Sequence, residues 1–423
     1  MSAGWCLEVA CVVDETFRVT RRTLNKEESM SESIHVGIDV GARSHHVGIA
    51  TSQGEILEEL VITHCRQGFD RFFERVEHHR RGRKVKVAME GYGGHARPLD
   101  QEILRAGYQL LNVNNLKLAR FREAFPAPAK TDGLDVRLIL DLLAMEEGLR
   151  LSKQVLQQVA PFPEESRRLK RLCRRRRELV EEKGRISSRL QQDLRSVCPE
   201  LLSITGSACN LWFLRFLSCR KDLRQLARLK EASLLKIPGV GKKYAQRIRS
   251  WQKQASFSEE VSYVGPMIIT DARRILELLE QIAQLEKQIG QTLPSSSLAS
   301  LLLSVPGFGE VTAAELAGEI GTLERFSSEA SLALYLGVCP LDRSSGRQAG
   351  SRVPRQVNRR ARQALANALI HHVRLTPQSQ ALYGKKRREG KSHNQALRVV
   401  GRHLCRVIWC MLKEERPYEK RPV

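Results

Sequence analysis

Apolar and polar positions change period along the chain, and the changes mark out its elements. Residues 34–39, 46–51 and 56–63 alternate and are separated by turn residues such as Ser52-Gln53-Gly54-Glu55. They predict three strands in an antiparallel meander. Residues 67–79 then read as a helix, and Lys/Val alternation over 84–89 as a fourth strand that ends at Glu90-Gly91-Tyr92-Gly93. A helix over 97–106, a fifth strand over 108–113, a helix over 116–124 and a Pro/Ala loop at 125–130 follow. The last helix of this region opens at Thr131-Asp132-Gly133-Leu134-Asp135 and runs to Gly148. A hairpin meander followed by alternating helices and strands predicts an α/β domain over 34–150.

The pattern beyond is helical. Residues 164–198 predict one long helix, closed by Pro199, in which Leu172, Leu179 and Ile186 recur every seven positions and Leu190, Leu194 and Val197 extend the stripe. That stripe predicts helix pairing, within or between chains. Leu235-Lys236-Ile237-Pro238-Gly239-Val240-Gly241-Lys242 is echoed by Leu303-Ser304-Val305-Pro306-Gly307-Phe308-Gly309-Glu310, each ahead of a helix. Such turns resemble helix-hairpin-helix elements, whose glycines let backbone N–H groups approach a phosphate. The first echo, with Lys242 and Lys243, suits DNA; the second, with Glu310, suits packing. Helices are further expected over 268–293, 329–336, 358–374 and 394–413, with a loop at 337–347. The expected organisation is a basic helical, coiled-coil linker over 151–230 and a mainly α-helical domain over 231–423.

Charge narrows the function. The chain of 423 residues carries 70 Lys and Arg against 47 Asp and Glu, a formal +23. That excess points to a polyanionic partner, nucleic acid first. Eight of the eleven residues from Arg167 to Arg177 are basic, and phosphate contact is expected there, with Arg174 and Arg175 at its centre. Arg359 and Arg360 open another basic helix. Aromatics are 5% of residues, so RNA contact would be to phosphate and shape rather than by base stacking. Ten cysteines without a CxxC pair read as reduced thiols of a cytoplasmic protein, and no apolar stretch predicts a membrane span. Residues 1–33 stand apart. The strand signal begins only after Met30, and Lys26-Glu27-Glu28 implies purine-rich codons just upstream, so Met30 is the expected start.

The candidate chemistry rests on acids at element ends. Asp39 ends the first strand and Glu90 the fourth, while Asp132 and Asp135 share one face of a helical turn. Oxygen-only ligands select Mg²⁺ or Mn²⁺, and two such ions can clamp the attacking and leaving oxygens of a phosphodiester. Taken singly, Asp132 is as well explained as a helix cap.

These residues carry a resemblance. Gly37-Ile38-Asp39-Val40-Gly41, Met89-Glu90-Gly91 and Lys130-Thr131-Asp132-x-x-Asp135 resemble the DEDD tetrad of a RuvC/RNase H-like nuclease domain. Val305-Pro306-Gly307-x-Gly309, Leu336-Gly337-Val338-x-Pro340 and Ser344-Ser345-Gly346 resemble the transposase domain of the insertion-sequence-110 family. The resemblance spans about 33–418. It implies a recombinase guided by an element-encoded bridge RNA that acts on donor and target DNA as a homo-oligomer, dimer or tetramer. It implies Mg²⁺ on Asp39, Glu90, Asp132 and Asp135, and a catalytic serine at Ser345 that forms a covalent phosphoserine, with Ser344 beside it as the other register. Arg343 and Arg347 flank the serine and would steady the phosphate. The location implied is cytoplasmic and nucleoid-associated. A hydrolytic RuvC-like endonuclease is the alternative, since it needs the acids and not the serine. A sugar-kinase or actin-like ATPase also opens with Gly-Ile-Asp-x-Gly, but it expects a second Asp-Gly phosphate loop and a Gly-rich adenosine site in a later domain, and the sequence shows neither there. A non-catalytic nucleic-acid-binding protein would not need all four acids and the serine.

Overall fold

A computed structural model describes residues 33–90, 97–123, 132–148, 156–339, 341–345, 348–352 and 357–419. The expected start at Met30, the strand end at Gly91–Gly93, the 125–130 loop with Thr131, and Gly346 with Arg347 lie outside the described residues. The chain forms two compact units, one ending at Pro161 and the other beginning at Phe162. The segment 151–230, expected as a linker, is thus divided, and its long helix belongs to the second unit.

The first unit is a mixed sheet with helices on both faces. Strands β1 (Ser33–Val40), β2 (Ser44–Thr51) and β3 (Ile56–Thr63) form the expected meander, followed by α1 (Arg66–Arg80), β4 (Lys84–Glu90), α2 (Arg97–Arg105), β5 (Gln109–Val113), α3 (Asn115–Glu123) and α4 (Asp132–Gly148). A two-residue strand, β6 (Gln157–Gln158), adds an edge that hydrophobic pattern could not announce. The sheet order is β3-β2-β1-β4-β5-β6. β1 runs antiparallel to β2 and parallel to β4, β4 parallel to β5, and β6 antiparallel to β5. Alternation sorts the two faces. Ile34, Val36, Ile38, Val87 and Met89 pack on one side with Phe72 and Leu99. Ala50 and Ala88 lie on the other side against Val136, Ile139 and Leu140 of α4. Gly37 and Gly48 are directly paired across β1 and β2. A Cβ on Gly37 would lie 3.0 Å from Val136 O, and one on Gly48 would lie 2.6 Å from Val136 Cγ1. These two glycines let α4 lie directly on the sheet.

The second unit is helical apart from one hairpin. Its spine is α5 (Glu164–Val197), followed by the short α6 (Glu200–Ser203), α7 (Leu211–Ser218) and α8 (Glu231–Leu234), then α9 (Lys242–Gln252) and α10 (Val261–Thr292). α5 and α10 run antiparallel, as ion pairs Arg176–Glu286, Arg274–Glu182 and Arg189–Asp271 step along them in opposite senses. The heptad stripe is buried inside this chain: Leu179, Ile186, Leu190, Leu194 and Val197 pack with Ile268, Ile275, Leu278 and Ile282. The rest comprises α11 (Ser297–Leu303), α12 (Glu310–Ile320), α13 (Glu329–Tyr335), strands β7 (Leu341–Ser345) and β8 (Gln348–Arg352), α14 (Arg359–Leu375), α15 (Pro377–Arg388) and α16 (His393–Lys413). The 337–347 stretch, expected as a loop, is in part the β7–β8 hairpin. Its Ser, Arg and Gly residues offer no apolar alternation from which to read a strand. No helix among the described residues is long and apolar enough to cross a membrane.

Candidate functional site

The acids of the first unit are gathered by its topology. The β1–β4 register runs in parallel from Ser33 beside Lys84 to Ile38 beside Met89. Asp39 and Glu90 are the next residues on each strand, so they sit side by side. Both share the parity of Gly37 and Ala88 and therefore belong to the face that α4 covers. The direction of α4 is fixed by its contacts with β1. Glu147, near its C-terminus, accepts from Ser33 and bonds His35 Nε2 at 2.5 Å, whereas Val136, near its N-terminus, lies over Gly37. The helix is therefore antiparallel to β1, and the turn bearing Asp132 and Asp135 lies toward the strand end that bears Asp39. His46 of β2 is paired with Asp39 across the sheet, and a cleft beside it is lined by His46, Glu59, Gly133 and Val136.

Asp39 and Glu90 are half-buried and Asp135 is buried at 4% exposure. Arg122 of α3 donates a guanidinium Nη2 hydrogen bond to Asp135 Oδ1. No motif announces this pairing, because Arg122 is one of many arginines and lies 13 residues before Asp135. Asp132 is the first residue of α4, and its side chain lies outside the described residues. Among the described residues no three His, Cys, Asp or Glu side chains form a metal cluster. The donor set nonetheless suits a hard divalent cation, being carboxylate throughout, and Arg122 holds the place of a cation on Asp135 that an ion would have to displace or share.

Ser345 is the last residue of β7, where it pairs with Gln348 across the hairpin turn, and Arg343 pairs with Gly350. Their side chains and the whole of Arg347 lie outside the described residues. The acids and the serine thus belong to different compact units.

The expected basic contacts divide sharply. Arg174 is half-exposed, and its guanidinium is engaged within the chain: its Nε and Nη2 donate to the two carboxylate oxygens of buried Glu319 at 2.7 and 2.9 Å. Arg177 donates to Glu315 and Arg176 to Glu286. Burial pushes the Glu315 carboxyl up against the pull of Arg177. Burial works on Glu319 in the same sense, but the Arg174 hydrogen bonds and the Lys170 and Arg174 charges outweigh it and hold that carboxyl below the usual range. Arg175 remains well exposed, 3.6 Å from Glu178. Arg359 is exposed on α14, and half-buried Arg360 lies 4.0 Å from Glu178.

The two glycine turns also part ways. Gly239 and Gly307 both hold a left-handed φ, +92° and +88°, the conformation glycine supplies. At the first turn Lys236, ahead of α9, and Lys242 and Lys243, the first two residues of α9, are exposed. At the second turn a Cβ on Gly307 would lie 2.5 Å from His372 N, and His372 Nδ1 is 2.7 Å from Pro306 O. The second copy is a packing element, as its Glu310 suggested. Between 211 and 253 twelve Lys and Arg stand against two acids, and the ion pair found there is Arg224–Asp222.

Comparison with known proteins matches the chain to a family. A family model of IS110 DEDD proteins, described as "Transposase", matches residues 36–199. A second, described as "Transposase IS116/IS110/IS902 family", matches 299–384. A "SAM-like Helix-hairpin-helix tandem" model matches 214–250. The chain is 25% identical over 411 residues to an insertion element IS116 uncharacterized 44.8 kDa protein of Streptomyces clavuligerus, covering 92% of this chain and 97% of that one. It is 26% identical over 397 residues to the IS110 43.6 kDa protein of Streptomyces coelicolor, covering 92% and 96%. It is 28% identical over 150 residues to a pilin gene-inverting protein of Moraxella bovis, covering 34% of this chain and 46% of that one. The chain belongs to the IS110 family of transposases, enzymes that act on DNA in transposition or recombination.

Proposed function

We propose that the chain is a Mg²⁺-dependent recombinase that cuts and exchanges strands of an insertion sequence through a covalent phosphoserine at Ser345. The observation that carries this reading is the convergence of acids. Asp39 and Glu90 end adjacent parallel strands on one face, and the helix covering that face begins with Asp132 and ends its first turn with Asp135. The strand order, an antiparallel β3-β2-β1 meander continued by parallel β4 and β5, supports a RuvC/RNase H-like fold for this unit.

Asp39, Glu90, Asp132 and Asp135 would hold Mg²⁺, or Mn²⁺ in its place. When bound, the ion supplies charge neutralisation at the scissile phosphate. The serine hydroxyl is a weak nucleophile and must lose its proton as it attacks phosphorus. The Oγ–P bond forms, one deoxyribose O–P bond breaks, and the departing deoxyribose oxygen takes up a proton. Attack by a deoxyribose hydroxyl of another strand reverses the step, so exchange needs no nucleotide cofactor. Arg343 and Arg347 flank Ser345 in sequence and suit the transferred phosphate. A homo-oligomer, dimer or tetramer, is part of this reading.

Exposed Lys236, Lys242 and Lys243, together with Arg175 and Arg359, would contact the backbones of donor and target DNA. A guide RNA would choose the target, which agrees with the scarcity of aromatics for base stacking. The working location is the nucleoid. Incubation of the protein with its element-encoded RNA, labelled donor DNA and Mg²⁺ tests the reading. A denaturing gel should show a protein–DNA adduct that disappears in Asp39→Asn and with chelator. Cleaved DNA with no adduct would make the protein a hydrolytic nuclease instead.

A further inference from the structure

The chain segment that carries Ser345 has both its ends, Tyr335 and Asn358, tied to buried Glu319. Among the described residues β7 and β8 pair only with each other, and they lie between α13, which ends at Tyr335, and α14, which begins at Arg359. Glu319, in the last turn of α12, is 1% exposed. Arg174 fills one side of it with its paired guanidinium bonds. On the other side Asn358 Nδ2 donates to Glu319 Oε2 at 2.7 Å and to the Tyr335 hydroxyl at 2.6 Å. The Tyr335 hydroxyl donates to the Glu319 backbone oxygen at 2.8 Å. The Asn358 backbone N–H donates to Tyr335 O at 3.0 Å, while Asn358 Oδ1 caps α14 by accepting from Arg360 N and Ala361 N. Gly337, at φ +72°, brings the outgoing chain against Arg362, where a Cβ would meet Cδ at 2.7 Å.

A buried carboxylate–guanidinium pair is a poor way to stabilise a core, because apolar residues of the same volume do as well or better. A polar network whose members are all satisfied does something else: it specifies one arrangement. Here that arrangement joins Tyr335, six residues before β7, to Asn358, six residues after β8. α12 also lies tight against α5, since a Cβ on Gly318 would meet Lys170 N at 2.6 Å, so Glu319 is referenced to the spine of the unit.

We propose that Glu319 is a positioning residue which, through Asn358 and Tyr335, holds together the two ends of the segment that carries the 341–352 hairpin and thereby governs the placement of Ser345. The catalytic consequence rests on the reading of Ser345 as nucleophile; the structural consequence does not. Asn358→Ser tests both. Serine keeps an oxygen at the helix cap but has no amide to reach Glu319 and Tyr335. Tyr335→Phe is the companion variant. In each, amide hydrogen exchange over 341–352 should speed at least tenfold while exchange over 310–320 stays unchanged. Adduct formation at saturating DNA should slow at least tenfold, with DNA affinity within twofold of the parent. Unchanged exchange in the hairpin for both variants would overturn the proposal, as would a rate that falls only in step with a lowered Tm. If Ser344→Ala combined with Ser345→Ala still forms the parent's adduct, the serine reading fails, and hairpin exchange alone then decides the role of Glu319.

Discussion

Two stretches of the second unit carry a similar excess of positive charge, net +8 over 167–177 and net +10 over 211–253, and differ in how that charge is met. The 167–177 run on α5 has eight Lys and Arg among eleven residues, yet Arg174, Arg176 and Arg177 are taken up by Glu319, Glu286 and Glu315 of the same chain. The 211–253 stretch has twelve against two acids, and its Lys236, Lys242 and Lys243 stand exposed around a glycine turn. The acids that neutralise α5 come from far along the chain, 145 residues in the case of Arg174 and Glu319. Local charge density therefore measures the demand for counter-charge, and only the fold decides whether it is met from within or by a phosphate.

Substitution can break this contrast. Arg174→Ala strands a buried carboxylate, so unfolding stability should fall by about 3 kcal/mol, read by denaturant titration, with the salt dependence of DNA binding unchanged. The reverse pattern, intact stability and weaker DNA binding, would return α5 to the role of phosphate contact. Lys236→Ala, Lys242→Ala and Lys243→Ala combined should leave stability intact and weaken duplex binding. Each phosphate-neutralising lysine removed lowers the slope of log K against log salt by about 0.9, so binding titrations at several salt concentrations should show a slope smaller by about 2 to 3. An unchanged slope would exclude the glycine turn from the interface.

Acid sharpens the contrast by a smaller effect. Glu319 is held below its ordinary range, so its share of stability is present above the unfolded carboxyl's pKa and is lost only as pH falls through the lower folded value. The α5 pairing should therefore persist from pH 8 to pH 5. In the first unit His45 is fully buried, 2.8 Å from His64 Nδ1. Burial first, and the His64 charge second, lower its pKa to about 4. Its unfolded form binds the proton more readily, so stability falls as pH drops below about 6.5, at up to about 1.4 kcal/mol per pH unit. Hydrogen exchange at pH 7 and pH 5 should loosen the first unit's sheet before the α5–α10 pair; the opposite order would contradict this assignment.

What could be read in the sequence follows the range of the interactions. The β1–β3 meander, β4, α5 and α10 are periodic over many residues and were legible, as was the strand-end position of Asp39 and Glu90. The β7–β8 hairpin was not, because Leu341-Asp342-Arg343-Ser344-Ser345 pairs by backbone bonds that need no apolar alternation. The destination of the heptad stripe was open between chains until α10 was seen to cover it. Arg122 on Asp135, and Asn358 and Tyr335 on Glu319, are tertiary meetings of residues that are ordinary in sequence. No local pattern encodes them.

A serine at the end of β7 is the group proposed to take the DNA, and its attachment can be observed directly. The protein–DNA adduct formed with Mg²⁺ would be digested and the peptide that carries the nucleotide mapped. Attachment at Ser345 is the expected result. Attachment on any residue outside Ser344 and Ser345, or cut DNA with no attached peptide, would contradict it.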